Sequence, residues 1–380
     1  MKNIYLDYAA TTPVDPAVMA AMQPYFTDVF GNASSPHGFG QRARQAMENA
    51  RDTIASFIGA QSAEIVFTSS ATEASNFAIF GMAEALKDRG KHIVVSAIEH
   101  HAVLEPIEQL AKRGYEVTVV PVSTDEGLID PQTVRDIVRD DTVLIAAMHA
   151  SNEIGAIQPI AEIGTMAREK NIPFLVDAVQ TVGHIPVNVN ELKCDLLTLS
   201  AHKCYGPKGI GSLYIRSGVK PCKYLWGGDQ ERERRASTQN VPGIVGLGKA
   251  IELCQEKMSD DALIQTNLRD QLIDKILTIG DVKLNGHRRN RLPNNVNVSL
   301  AGIKGEDLIT ALDMDGFAVS MGSACTSGAL EPSHVLRAIG RSQEEAFGSL
   351  RITLGRSTTE NDIARFLKSF QQKITALRGI

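Results

Sequence analysis

The stretch DLLTLSAHKCYGPKGIGSLYI, residues 195–215, contains two short apolar runs separated by a turn with a histidine, two lysines, a proline and two glycines. Residues 195–199 and 211–215 are short, apolar and bounded by turn residues, which predicts two buried β-strands. Lys203 comes soon after the first of them. An ammonium group at that place is costly unless it has a partner or forms a neutral adduct such as a Schiff base. The stretch therefore predicts a buried sheet with a reactive lysine at its edge.

Upstream of this stretch, similar apolar runs alternate with longer segments of helical periodicity, such as residues 159–170. Several of the runs are too apolar for a sheet with one face in water. This alternation predicts an α/β fold, with a mostly parallel sheet covered by helices on both faces. The other predicted strands are residues 64–67, 92–96, 116–121, 142–148 and 173–176. Downstream, residues 248–279 form an amphipathic stretch that predicts one or two helices leading into a C-terminal domain.

The composition excludes several classes of function. A net charge of −5 over 380 residues gives no general attraction for nucleic acid. The chain has no apolar run of the roughly 20 residues that a membrane span needs, and Asp7 and Pro13 interrupt the region where a signal peptide would be apolar. We therefore expect a cytoplasmic protein. The five cysteines form no Cys-x-x-Cys pair, which predicts free thiols and no metal site.

Three polar positions follow predicted strands, where an open α/β sheet binds its ligands. Residues 68–73 form a hydroxyl-rich turn before a helix, and its free backbone N–H groups and the Thr72 hydroxyl could hold a phosphate. An ordinary helix cap explains the same turn. Asp177 follows another strand, as a functional carboxylate or as a structural cap. Lys203 is the third, with a surface lysine as the alternative.

Together, a phosphate cradle, an acid and a desolvated lysine match the needs of pyridoxal phosphate. Its ring nitrogen must stay protonated, which Asp177 can ensure, and Lys203 can hold it as a Schiff base. Ser200 and His202, beside the lysine, could donate hydrogen bonds to the phosphate. His100 follows residues 92–96 and could stack on the ring and move protons, although a lone histidine in that place is often a cap.

A second set of candidate residues lies near the C-terminus. Cys325 stands among small residues in SMGSACTSGA, residues 320–329, which predicts an exposed, movable nucleophilic thiol. A small buried cysteine in a turn is the alternative. Arg351 interrupts an apolar strand, and its guanidinium could clamp the carboxylate of an amino-acid substrate. An internal ion pair with an Asp or Glu explains it equally.

These motifs resemble the cysteine desulfurases of the nitrogen-fixation and housekeeping iron–sulfur type, within the aminotransferase class V group. The resemblance covers almost the whole chain. It rests on the order and spacing of short stretches at residues 5–12, 31–35, 152–155, 200–203, 293–295 and 322–327.

The resemblance implies a pyridoxal-phosphate-dependent transferase of fold type I with a seven-stranded sheet. A large domain would comprise residues 12–255, and a smaller α+β domain residues 1–11 and 256–380. L-cysteine would be the substrate, and Lys203, His100 and Cys325 would be catalytic, with Cys325 taking the sulfur as a persulfide. Asn152 and Arg351 would hold the substrate carboxylate. The cofactor would be held by Ala71, Thr72, His100, Asp177, Gln180, Ser200, His202 and Lys203, with Thr238 contributed by the second subunit of a homodimer.

The chain departs from the family pattern at a few positions. Ser70, Asp229, Glu233 and Ser237 replace glycines, which matters where the backbone needs a positive φ. Cys204, beside Lys203, is unusual and is interpreted as a small buried side chain or a second reactive thiol. The alternatives are a selenocysteine lyase, a class V aminotransferase and a non-catalytic sulfur-trafficking platform. The sulfur acceptor could be an iron–sulfur scaffold, a tRNA-thiolation protein or a cofactor-biosynthesis protein.

Overall fold

The computed structural model describes residues 3–322 and 331–379. In chain order, the strands are β1 (Ile4–Tyr5), β2 (Ile65–Thr68), β3 (His92–Ser96), β4 (Glu116–Val120), β5 (Thr142–Met148), β6 (Phe174–Asp177), β7 (Leu196–Ser200), β8 (Gly211–Ile215), β9 (Val282–Leu284), β10 (Asn295–Leu300), β11 (Phe317–Ala318) and β12 (Ser349–Thr353). The α-helices are α1 (Pro16–Met22), α2 (Pro24–Thr27), α3 (Gly38–Ile58), α4 (Ala71–Ala85), α5 (His101–Ala111), α6 (Pro131–Ile137), α7 (Ile160–Glu169), α8 (Val189–Leu192), α9 (Val241–Ile276), α10 (Gly305–Met314), α11 (His334–Ala338), α12 (Gln343–Phe347) and α13 (Glu360–Arg378).

Within the described residues, the large sheet has seven strands in the order β2-β8-β7-β6-β5-β3-β4. Strands β3 to β7 are parallel, and β8 is antiparallel to both β2 and β7. The predicted mostly parallel sheet is confirmed, and each predicted strand begins and ends within one residue of its observed bounds. Successive residues of a strand point to opposite faces of the sheet, and an apolar layer covers each face. In β3, Ile93 and Val95 pack with α4 and α5, and Val94 packs with α3, α7 and α9.

A second hydrophobic core lies around β10, β12, α10 and α13. Strand β10 pairs antiparallel with β9 and β12, and β1 pairs with β11. Helix α9 joins the two cores, since residues 241–254 pack in the first and residues 268–276 in the second. The boundary at residue 255 falls within this helix, and the division into two domains stays a prediction. In the described part of the chain, no helix combines the length and apolar character needed to cross a bilayer.

The carboxyl ends of β3, β5, β6 and β7 lie at one edge of the large sheet because these strands are parallel. Strand β2 also ends at that edge. Its last residue, Thr68, pairs with Gly211 of β8, and Gly211 pairs with Ser200, the last residue of β7. The loops that follow these five strands therefore meet there, as open α/β sheets require of a ligand site.

Candidate active site

A cavity of about 420 Å³ lies at the carboxyl edge of the large sheet. The loops after β2, β3, β5, β6 and β7 line it, together with Arg351 from β12. The structure places ten of the predicted site residues around this cavity: Ala71, Thr72, His100, Asn152, Asp177, Gln180, Ser200, His202, Lys203 and Arg351. Residues that are up to 280 positions apart in the chain are thus brought to one place.

Lys203 ends a single 3₁₀ turn, Ala201–Lys203, directly after β7. Its Nζ donates to the carbonyl oxygens of Ala9 (2.6 Å) and Ala10 (2.7 Å), and the side chain is half-buried. The following loop is tight, because a Cβ at Gly206 would lie 2.8 Å from the Cβ of Ala201. The fold thus keeps the amine at the cavity wall rather than on the open surface.

Asp177 is the last residue of β6 and is 9% exposed. Its Oδ1 accepts from the backbone N–H of Val179 at 2.9 Å, so the structural capping contact is present. The same residue lines the cavity. Burial raises the pKa of Asp177, while the Val179 N–H and the charge of His100 act in the opposite direction. A cation bound beside this carboxyl group would favour its ionised form, because an opposite charge offsets the cost of burial.

His100 is both the N-cap of α5 and a wall of the cavity. Its Nδ1 accepts from the backbone N–H of Ala102 at 3.0 Å. In the neutral ring the proton is therefore on Nε2. Burial is the largest cause of the lowered pKa of His100, and the positive charge of Lys203 adds to it, against the effect of Asp177. His100 therefore caps α5 and also lines the cavity.

Helix α4 begins at the cavity, and Ala71 and Thr72 of its first turn line the wall. Ser70 is the N-cap, and its Oγ accepts from the N–H of Glu73 at 3.1 Å. Its φ of −170° is extended backbone, so the replaced glycine costs nothing there. The ordinary cap is therefore present, and the first backbone N–H groups of α4 still border the cavity.

His202 and Gln180 complete this side of the cavity. His202 Nδ1 lies 3.2 Å from Thr11 Oγ1, and burial and the charges of Lys203 and Lys208 lower the pKa of His202 to about 4. At neutral pH the ring is therefore uncharged and acts as a hydrogen-bonding group rather than a cation. Gln180 is buried and donates from Nε2 to Ala9 O at 3.0 Å.

Arg351, on strand β12, is 2% exposed and lines the same cavity. Its Nη2 pairs with Asp7 Oδ1 at 2.9 Å, so the alternative of an internal ion pair is present. Its Nη1 donates to the carbonyl oxygens of Asn152 (3.1 Å) and Gly322 (3.3 Å). Among the described residues, Nε has no hydrogen-bond partner although it is buried. The guanidinium therefore has one buried donor that the described residues leave without an acceptor.

Two predicted residues are not placed at the cavity. Cys325 belongs to residues 323–330 and lies outside the described residues. Thr238 is exposed on the chain and does not contribute to the described lining. In the segment before it, Glu233 (φ 67°) and Ser237 (φ 100°) adopt the left-handed backbone that favours glycine. The residues that stand in place of glycine at these two positions therefore have a strained backbone.

Cys204 is 1% exposed, and its Sγ donates to Ala201 O at 3.3 Å. A hydrogen bond with Cys254, followed by burial, raises the pKa of Cys204. A thiol with a raised pKa forms little thiolate and is a poor nucleophile. The structure therefore favours the interpretation of Cys204 as a small buried side chain.

Glu99, to which no sequence motif assigns a chemical role, lines the cavity beside His100. The carboxyl group is 1% exposed, and its Oε1 accepts from Met148 N at 2.5 Å. Burial and the nearby charge of Asp177 raise the pKa of Glu99 to about 8. The sequence offers one indication of this position. Glu99 lies in the loop after β3, next to His100, and that loop borders the cavity.

A model of the family described as aminotransferase class-V matches residues 4–366. A curated relative named cysteine desulfurase IscS, from Dictyoglomus turgidum, is 53% identical over 380 residues, covering 100% of this chain and 96% of its own. A solved structure titled NifS-like protein superposes with a TM-score of 0.93 at 37% identity, covering 98% of this chain and 100% of that one. Another, titled SspA in complex with cysteine, has a TM-score of 0.82 at 37% identity, covering 92% and 98%.

Proposed function

The chain belongs to the aminotransferase class-V family, among relatives named as cysteine desulfurases, and from that premise we propose that it is itself a pyridoxal-phosphate-dependent cysteine desulfurase. It converts L-cysteine to L-alanine and transfers the sulfur to Cys325 as a persulfide. The observation that carries the proposal is the convergence of Lys203, Asp177 and Arg351 around one cavity. A structure of a similar protein is titled as a complex with cysteine, which supports the choice of substrate.

The residues at the cavity fit pyridoxal phosphate. A buried carboxyl group (Asp177), an amine (Lys203) and the first turn of α4 line the same 420 Å³ space. The 15-residue helix α4 provides free N–H groups for a phosphate. Ala71, Thr72, Ser200 and His202 would hold the phosphate, and Gln180 would hydrogen-bond the ring hydroxyl. The cofactor supplies an electron sink for bond cleavage at the substrate.

The side chains then divide the work between binding and proton transfer. Arg351 and Asn152 hold the substrate carboxylate, and Asp177 keeps a proton on the ring nitrogen of the cofactor. Lys203 Nζ takes the proton from the substrate α-carbon and returns one to the product. His100 would stack on the ring of the bound cofactor, and its Nε2 would donate or accept protons there.

The sulfur step needs no external oxidant. The Cys325 thiolate attacks the sulfur of the substrate, so an S–S bond forms as the C–S bond breaks, and L-alanine leaves with the proton that replaces sulfur. The persulfide on Cys325 is then passed, in the cytoplasm, to an acceptor protein such as an iron–sulfur scaffold. This role of Cys325 rests on the sequence motif.

We further propose a homodimer in which Thr238 of each subunit reaches the phosphate site of the other, and its exposure on the single chain agrees with this. Mixing Lys203→Ala with Thr238→Ala subunits tests it. Only mixed dimers contain one site with both residues intact, so refolding the two variants together should recover cofactor binding that neither has alone. An unrecovered mixture, or a monomer by light scattering, contradicts it.

The test of the function is product analysis after incubation with pyridoxal phosphate and L-cysteine. We expect absorbance near 400 nm from the bound cofactor and equal amounts of L-alanine and transferred sulfur. Lys203→Ala should abolish both readouts, and Cys325→Ala should keep the absorbance and lose the alanine. Lys208→Ala, an exposed lysine five positions further on, is the matched control. Keto-acid products would indicate an aminotransferase, and a colourless protein would refute the proposal.

A further inference from the structure

Residues 7–12, the N-terminal strap, run along the cavity and contact its key side chains. The Asp7 carboxylate pairs with Arg351. The strap also presents backbone oxygens and hydroxyl groups to the other wall. Its contacts there are Ala9 O with Lys203 and Gln180, Ala10 O with Lys203, Thr11 with His202, and Thr12 with His202 O and Tyr205 N.

We infer that Asp7 is a positioning residue for the substrate carboxylate, acting through Arg351. This inference rests on the proposed function, which assigns Arg351 to that carboxylate. Asp7 does not belong to the described residues that line the cavity, whereas Arg351 does. Asp7 therefore contacts the guanidinium without being part of the described cavity wall.

The hydrogen bonds of Arg351 show how its orientation is set. Nη1 is bonded to two backbone carbonyls, and one hydrogen of Nη2 is bonded to Asp7. The remaining donors are Nε, which has no partner among the described residues, and the second hydrogen of Nη2. A guanidinium held by three acceptors has a fixed orientation, and Arg351 lines the cavity, so a carboxylate bound there would meet a donor group that is already in place.

The negative charge of Asp7 balances the positive charge of Arg351. Arg351 is 2% exposed, and a buried cation needs a counter-charge when no ligand is bound. Asp7 is fixed for this purpose by a parallel bridge to Thr353, two residues after Arg351, and by the bond from Ala9 N to Thr353 Oγ1 at 2.9 Å. The strand register therefore places the two charges side by side.

The test compares steady-state kinetics of the holoenzyme and its Asp7 variants. Asp7→Ala should raise KM for L-cysteine about tenfold and change kcat less than about twofold, because uniform binding is lost and the chemistry is not. Asp7→Asn keeps an Oδ1 acceptor but removes the counter-charge, so it should hold KM within about threefold of wild type and lower the stability of the unliganded protein. Asp7→Ser, too short to reach Arg351, should match Asp7→Ala and replaces it if that variant fails to fold.

A second measurement separates this inference from the proposed function. Calorimetry can measure the affinity of the holoenzyme for L-alanine. This binding needs the site that holds the amino-acid carboxylate at Arg351, and it involves no sulfur chemistry. Asp7→Ala should weaken it about tenfold even if the protein released no alanine from cysteine, in which case only the proposed function would fail.

Asp195→Ala is the matched control, since Asp195 is 3% exposed and pairs with Arg216 at the far end of β7. It should lower stability and leave both KM and L-alanine affinity unchanged. The inference is overturned if Asp7→Ala leaves KM and L-alanine affinity unchanged, lowers kcat alone, or shifts them no more than Asp195→Ala does.

Discussion

The two ends of the large sheet treat their buried polar groups differently. At the amino end, His92 lies between the hydroxyls of Thr118 and Thr142, both at 2.8 Å. Asp195 there accepts from Phe174 N at 2.9 Å and pairs with Arg216 at 2.6 Å. At the carboxyl end, polar side chains such as those of Asp177, Glu99 and Lys203 face a cavity instead.

This difference between the two ends indicates where the chain can bind a ligand. Polar groups that satisfy one another inside the fold stabilise it, because each keeps the partner that replaced water. At the carboxyl end, Glu99 Oε2 and Arg351 Nε are buried without a hydrogen-bond partner among the described residues, and both residues line the cavity. Substitutions at the carboxyl end should therefore affect activity first, and substitutions at the amino end should affect stability first.

The largest effect is expected from Asp177→Asn at the carboxyl end. The variant should lose about 10²-fold or more in the rate of alanine formation, since it removes a charge that acts on the reacting system. Its free energy of unfolding should not fall, because the pKa of Asp177 is raised by burial and its charge is costly to bury. Alanine assays and urea unfolding measure the two quantities. A large loss of stability with normal turnover would contradict the expectation that the carboxyl end serves activity first.

How well these ends could be predicted differs as well. Strands such as Thr142–Met148 follow from local composition, because a sheet covered on both faces needs continuous apolar runs. The edge at which site residues gather follows from the parallel topology. The Asp7–Arg351 pair could not be assigned, because it joins residues 344 positions apart and no local pattern specifies which carboxylate a buried arginine meets.

Glu99 gives the second prediction, a pH dependence of stability. Its pKa is about 8 in the folded chain and near its ordinary value of 4.5 in the unfolded chain, so the folded state holds the proton more tightly. Stability is then lost as pH rises between about 4.5 and 8. Because one pKa unit corresponds to about 1.4 kcal/mol, wild type should lose up to a few kcal/mol relative to Glu99→Gln.

Urea unfolding of wild type and Glu99→Gln at a series of pH values measures this difference directly. Neighbouring groups such as Asp177 titrate in both proteins and largely cancel in the comparison. Glu108→Gln, an exposed glutamate on α5, is the control and should show no such trend. A constant difference across the range would show that Glu99 is not held neutral.

At the amino end, Asp195→Ala should lower the free energy of unfolding by about 2–3 kcal/mol. It leaves Arg216 and the N–H of Phe174 without their acceptor, and the partial exposure of Arg216 limits the cost. Turnover per folded molecule should stay within about twofold of wild type. A tenfold loss of turnover with normal stability would show that the two ends are not separable.

The smallest effect is expected at Ser237, an exposed residue outside the described cavity wall. Its φ of 100° is strained, so Ser237→Gly should raise the free energy of unfolding by about 1 kcal/mol. Ser70→Gly is the matched control: the backbone there is extended, and the serine caps α4, so that change should be destabilising or neutral. Thermal unfolding should show a higher midpoint than wild type for Ser237→Gly and an equal or lower one for Ser70→Gly.

Helix α9 imposes a length rule on the chain. Its 36 residues carry one apolar stripe into the first core and another into the second, with no buried residue between positions 254 and 265. Each inserted residue would rotate the later stripe by about 100° and move it by about 1.5 Å. Natural variation in this linking region should therefore occur by substitution, or by insertions close to whole turns, and single-residue insertions should be selected against.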